Sequence, residues 1–205
     1  MATNPYCTVL QVQDELGLSG TQGLTKVDTA IAAASRAVDR FCGRRFWQDS
    51  ALVTREYFAD NSLDCMVDDI STVTGLIVKT DLNSTGTFDT TLTITTNFIL
   101  LPTNAADEVP VQPYTQIRVV DAGVSQFPVW NNGRPGVQIT AKFGWPAVPD
   151  DVTKATIIQA CQLYKAGDAV FGGLSFGDGT SLRVRNGLNP MAESLLEYYC
   201  KPRVA

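Results

Sequence analysis

The hydrophobic period changes twice along the chain. Between Thr8 and Cys42 apolar residues recur every three or four positions, from about Val53 to Phe143 they alternate, and from Asp151 onward the helical spacing returns. Such a chain must build helices from both ends and a β-rich segment from its middle. The fold class expected is α+β: a helical bundle with a β-rich insert between the second and third main helices, plus a C-terminal docking helix. The expected divisions are residues 1–50 for the N-terminal helices, 51–146 for the β-rich insert, 147–171 for a long bundle helix, and 172–205 for a flexible loop and the last helix.

Local signals place the elements. Val9, Val12 and Leu16 mark a short helix punctuated by Gly17, Ser19 and Gly20. Thr25, followed three residues on by Asp28, resembles a capping box, and Val27, Ile31, Ala34, Val38 and Phe41 form the stripe of a second helix that Gly43 ends. Leu76 with Val78, and Leu92 with Ile94, flank a hairpin turn over Asp81–Asp89; further strands are expected at Phe98–Leu101, Gln116–Asp121 and Val137–Phe143. A third helix, Asp151–Val170, is apolar except for a narrow strip at Thr153, Thr156, Gln159 and Gln162, which predicts burial on more than one side. Gly172–Gly187 is glycine-rich and expected to be a mobile connection. Asn189 as N-cap and Pro190 in the first turn open a last helix with the stripe Met191, Leu195, Tyr198 and Tyr199, stopped by Pro202.

Composition narrows the chemistry. The 205 residues are 44% hydrophobic and 18% charged, a globular balance, and at this length a core buries roughly 70% of the unfolded surface without help from disulfides or metals. There is no histidine, which excludes Ser-His-Asp and Cys-His catalysis, His-ligated zinc and a histidine pH switch within this chain. Sixteen Lys and Arg against 21 Asp and Glu leave a net charge of −5, which argues against a whole-surface affinity for nucleic acid or anionic membrane. The five cysteines, Cys7, Cys42, Cys65, Cys161 and Cys200, form no CxxC pair and are expected to be buried and reduced. Neither a leader-like N-terminus nor a run of about 18 apolar residues is present, so the expectation is a protein made and kept in a cytoplasm, with no membrane partner.

Candidate sites each have a plain structural alternative. Asp81, Asn83, Thr85, Gly86 and Asp89 fall at calcium-loop positions, but the twelfth position is Leu92 in place of the bidentate glutamate, which favours a turn. Asp68 with Asp69, and Asp150 with Asp151, could hold a metal or act as acid and base; neighbours on a strand point to opposite faces, and the second pair suits helix capping and the helix dipole. Arg36, Arg40, Arg44 and Arg45 gather at the end of the second helix, as a solvated face or as a contact for phosphate or an acidic partner. Arg183 and Arg185 would share one side of a strand. Phe143 and Trp145 read as a core corner or an interface, and the heavy apolar load of the last helix either folds back on the bundle or docks into a partner.

Taken in order, the alanine-rich helix closing through Cys42 to Phe46, the segments VKTDLNSTGTF and NFILLPTNA, then VQITAKFGWPAVPDDVTKATIIQACQLYK, and finally NPMAESLLEYY resemble the head-to-tail adaptor proteins of long-tailed bacteriophages, also called connector or head-completion proteins. The resemblance runs from Tyr6 to Tyr199 and is strongest over Val137–Lys165. It implies a structural protein with no reaction and no cofactor: a homo-oligomeric ring, matched to the twelvefold portal protein, that extends the DNA channel and presents a surface to a stopper or tail-completion protein. Genomic DNA would pass through it without sequence-specific binding, as suits an acidic chain. Carried over by position, the portal contact comprises Met191, Leu195, Leu196, Tyr198, Tyr199 and Arg203. Contacts between subunits or to a neck protein comprise Phe143, Trp145, Arg183, Arg185, Arg40 and Arg44. Deletion of Asn189–Ala205 is expected to abolish portal attachment and leave the fold intact. The alternatives are another neck ring, stopper or tail terminator; a carboxylate-based metal-dependent hydrolase; and a carbohydrate- or receptor-binding β module.

Overall fold

The computed structural model describes residues 3–21, 23–120, 126–167, 173–175, 181–183 and 187–201, with the backbone alone for 173–175 and 181–183. It divides into two compact units, Met1–Phe46 with Val148–Ala205, and Trp47–Ala147. Among the described residues four helices and two larger antiparallel sheets make the architecture α+β.

The first unit carries the helices α1 (Val9–Leu16), α2 (Leu24–Cys42), α3 (Asp150–Ala166) and α4 (Pro190–Leu196), the last continued by a 3₁₀ turn at Glu197–Tyr199. α1 starts with a full capping box: Gln11 N–H donates to Thr8 Oγ1 (3.2 Å) and Thr8 N–H donates to the Gln11 side chain (2.8 Å). The box expected at Thr25 and Asp28 is not formed. Gly23, in the left-handed region at φ 71°, is the N-cap of α2, so Thr25 lies inside the helix, where it caps nothing. Both α1 and α2 end as the glycines foretell, with Gly17 and Gly43 left-handed at φ 66°.

Val12, Val27, Ile31 and Ala34 pack with Cys7, Ala160 and Cys161 in one buried cluster, so α2 and α3 meet through small and branched side chains. The polar strip of α3 is itself partly covered. Thr156 and Gln159 are buried; Thr156 Oγ1 donates back to the Val152 carbonyl (2.7 Å), and Gln159 Oε1 accepts the Asn189 N–H (2.8 Å). The strip is therefore the seat of α4, because a buried amide keeps its partners only where another backbone reaches it. Pro149, lacking a side-chain cap, precedes α3, and Asp150 and Asp151 occupy its first turn, where their charge suits the dipole. Two further strands, β8 (Gly173–Ser175) and β9 (Ser181–Arg183), pair antiparallel; apart from these and Gly187 the glycine-rich connection lies outside the described residues.

The second unit is built from β1 (Val53–Tyr57), β2 (Asp64–Ile70), β3 (Ile77–Thr80), β4 (Thr90–Leu92), β5 (Phe98–Leu101), β6 (Tyr114–Val119) and β7 (Val137–Ala141). One sheet runs β1-β7-β3-β4 and the other β2-β6-β5. The hairpin over Asp81–Asp89 forms between β3 and β4, with Val78 opposite Leu92 and Thr80 opposite Thr90. Both sheets feed one core: Val78, Val137, Ile139 and Ala141 from the first, Cys65, Ile117, Phe98 and Leu100 from the second. At the end of β7, Ile70 bridges to Phe143, and Gly144 N–H donates to the Asp69 carbonyl (2.7 Å). Gly144 has φ 106°, and a Cβ there would lie 1.9 Å from the Trp47 carbonyl oxygen, so only glycine fits.

Candidate partner-binding surface

The C-terminal segment is anchored to the helical unit at several points. Asn189 caps α4, its Oδ1 accepting the Met191 N–H (2.9 Å) while its Nδ2 donates to Gln162 (2.9 Å). Ala192, Leu196 and Tyr199 are buried. Tyr199 meets the edge of Phe46, their rings 5.8 Å apart, and its hydroxyl donates to Asp151 (3.0 Å). Burial, then the Asp151 carboxylate, pushes the Tyr199 hydroxyl above its usual range, so it stays a donor. Tyr6 also meets Phe46 edge-to-face (5.8 Å). Its hydroxyl accepts the Phe46 N–H (2.9 Å) and donates to Asp39.

This packing divides the residues expected at a portal contact. Met191 and Tyr198 are 65% and 71% exposed, large apolar surfaces on a short, well-anchored segment. Leu195 is half-buried. Leu196 and Tyr199 belong to the core of the free chain, which corrects their placement on its surface: the stripe was read as one face, but α4 is a single short helix that turns 3₁₀ after Leu196, so its apolar side chains split between two directions. Arg203 lies outside the described residues.

The expected subunit or neck-protein contacts divide in the same way. Phe143 and Trp145 are 0% and 1% exposed, a correction in favour of the core-corner reading. Phe143 carries the Arg55 guanidinium 4.1 Å from its ring centroid. Arg40 is exposed and Arg44 half-buried. Arg183 ends β9 with only its backbone described, and Arg185 lies outside the described residues. Arg36 is taken up locally, donating to the Asn4 carbonyl (3.1 Å) and pairing with Asp39 (3.1 Å). Beside Arg40 a groove of about 470 Å³ opens between α2 and α3, lined by Ala33, Ala37, Phe41, Leu163 and Leu188.

Sequence reasoning passed over one exposed group. Val129 and Trp130 are 56% and 79% exposed, just before a turn in which Asn132 and Gly133 are left-handed. The signal was available: an aromatic followed by Asn-Asn-Gly sits at a turn, where little can cover it.

The carboxylate candidates are occupied by the fold itself. Asp81 is buried, and its two oxygens accept from Thr85 N–H (3.0 Å), Thr85 Oγ1 (3.3 Å), Gly86 N–H (2.8 Å) and Asn131 Nδ2 (3.2 Å). Burial alone would raise its pKa; the Gly86 and Thr85 N–H groups and Asn131 outweigh it and hold the carboxyl below the usual range. A calcium ion would have to displace these donors, so the loop is a turn held by its first aspartate. Asp68 accepts from Arg55 Nη1 (2.6 Å) and Tyr57 Oη (3.1 Å), whereas Asp69 is buried. Adjacent on β2, they do not converge. Among the described residues no three His, Cys, Asp or Glu side chains are placed to hold a metal ion. The cysteines are all reduced; burial pushes the Cys7 and Cys65 thiols up to about 12.

No protein-family model matches the chain, and no curated protein matches it. Solved structures do. A chain in the neck of an empty GTA particle, computed with C6 symmetry, matches with a TM-score of 0.54 at 18% identity, covering 96% of this chain and 90% of that one. A chain in the neck of the native GTA particle, computed with C12 symmetry, matches with a TM-score of 0.51 at 18% identity over the same shares. A chain of the virion of the native gene transfer agent matches with a TM-score of 0.51 at 16% identity. At these identities the likeness is one of fold, and it extends across both units.

Proposed function

We propose that the chain is a structural protein of the neck of a tailed phage or phage-like particle, and that within the neck it is the head-to-tail adaptor. The observation that carries the reading is the likeness of fold, over 96% of this chain, to chains of a particle neck computed with C6 and C12 symmetry. In this reading copies of the chain form a twelvefold ring under the portal, made in the host cytoplasm and retained in the virion. The four helices act as a bundle that forms the ring wall. The ring extends the DNA channel and offers its far side to a stopper or tail-completion protein. Cyclic assembly gives exposed apolar side chains a place to be covered, and a net charge of −5 suits a conduit that DNA must traverse without being gripped. The role is one of contact, not of reaction.

Met191 and Tyr198, with half-buried Leu195 and with Arg203, are assigned to the portal. Arg40, Arg44, Arg183 and Arg185 are assigned to neighbouring subunits or the next neck protein. The test is the mass of portal rings with and without the purified chain. Addition of many copies supports the adaptor; no addition, with binding to tail tubes instead, makes the chain a stopper or tail terminator. The double variant Met191→Glu, Tyr198→Glu is expected to weaken attachment at least tenfold at unchanged circular dichroism, since both residues are exposed and truncation of central aromatic anchors costs about 2 kcal/mol or more.

A further inference from the structure

Cys42 closes α2, and Cys200 follows the 3₁₀ turn near the other end of the sequence. The backbones beside them are tied: Lys201 N–H donates to the Cys42 carbonyl (2.9 Å). Both thiols donate to one acceptor, the Leu196 carbonyl, at 3.9 Å from Cys42 Sγ and 3.5 Å from Cys200 Sγ. Two sulfurs on one oxygen, carried by two backbones joined by a hydrogen bond, bring the pair into the neighbourhood from which a disulfide can close. Cys42 is buried and Cys200 half-buried, so Cys200 is the more open residue of the pair.

We infer that Cys42 and Cys200 are an oxidisable pair that closes into an intramolecular disulfide on exposure to a peroxide. The Cys200 thiolate attacks hydrogen peroxide; an S–O bond forms, the O–O bond breaks, and the hydroxide released takes up the proton that Cys200 lost. Cys42 Sγ then attacks the Cys200 sulfenic sulfur, forming the S–S bond as the S–O bond breaks, and the departing hydroxide takes the Cys42 proton. Two thiols and one peroxide give one disulfide and two waters: the sulfurs lose two electrons and the peroxide gains them. Burial, followed by the neighbouring Cys200, raises the Cys42 thiol above its usual range, so Cys42 is not the group that meets the peroxide first. The bond would join the end of α2 to the C-terminal segment and hold α4 and Tyr199 in place. This inference is independent of the neck reading.

The experiment treats the full chain with a small excess of hydrogen peroxide, alkylates the remaining thiols and maps the peptides. Expected are the loss of two hydrogens from the intact mass, one cross-linked pair joining Cys42 to Cys200, and alkylated Cys7, Cys65 and Cys161. The thermal midpoint of the helical unit should rise by roughly 5–10 °C and return on reduction. Cys200→Ser, a near-isosteric change at a half-buried position, should keep the circular dichroism and lose both cross-link and shift; Cys42→Ser should lose the same cross-link. Sulfinic acid at Cys200 without a cross-link, a cross-link between two chains, or an unchanged midpoint in the cross-linked protein would each overturn the inference.

Discussion

Gly144 shows how one residue can decide a corner. Its φ of 106° and the Trp47 carbonyl 1.9 Å from any added Cβ leave no room for a side chain. Gly144→Ala is expected to cost about 3 kcal/mol or more, through backbone strain and a shifted Trp47 segment, read as a lowered urea midpoint. Asp81 acts through charge. Its carboxyl is held below its ordinary value near about 3.9, so the ionised form stabilises the fold above that pH. That stability drains as the pH falls through the lower folded value. Wild-type protein should therefore lose stability below about pH 4 more steeply than Asp81→Asn, measured by urea unfolding from neutral to acid pH. Both residues stand out in the sequence, one inside FGWP and the other opening a pattern with the spacing of a calcium loop. The donors around Asp81 separate turn from metal site, and Asn131, one of them, is a distant residue that no spacing rule reaches.

Among the elements, helix ends were more legible than helix starts. Gly17 and Gly43 stop their helices because a left-handed C-cap depends on one residue, whereas a capping box depends on where the extended residue falls. Gly23 takes that position in α2, and the box appears instead at Thr8 and Gln11 of α1. Asn189 was readable as a cap, and its second bond, to Gln162, was not. Asn189→Ala is expected to cost about 1–2 kcal/mol, the upper part of the usual range for a lost cap, because the bond to α3 goes with it; chemical denaturation of the full chain checks this. The strip of α3 carries the same lesson. Burial on more than one side was legible in the width of the apolar face; the partners of Thr156 and Gln159 were not, since α4 brings the Asn189 N–H to Gln159 and the Thr156 hydroxyl bonds within its own helix.

At the scale of the molecule, burial of Ala192, Leu196 and Tyr199 changes what truncation should do. Removing Asn189–Ala205 strips two large buried side chains, each worth about 1.5–3 kcal/mol, and exposes the edge of Phe46. The deletion is expected to destabilise the helical unit by several kcal/mol, seen as a lower melting midpoint, so lost portal attachment in that variant would not isolate the contact; the Met191→Glu, Tyr198→Glu pair does. The α+β class, the helix–sheet–helix order and the hairpin over Asp81–Asp89 were all legible because each rests on the spacing of residues within a few positions of one another. The strand order was not: β7 enters between β1 and β3, and β6 between β2 and β5, pairings between segments far apart in the chain. Likewise nothing local distinguishes Leu196, which is buried, from Met191, which is exposed, or shows that Cys42 and Cys200 share one carbonyl. The period of each segment, the glycine stops and the lack of an imidazole follow from residue type and near neighbours alone. Which apolar faces are covered, and which thiols and carboxylates meet, is settled in the folded chain, because those outcomes depend on which distant segment arrives to fill the space.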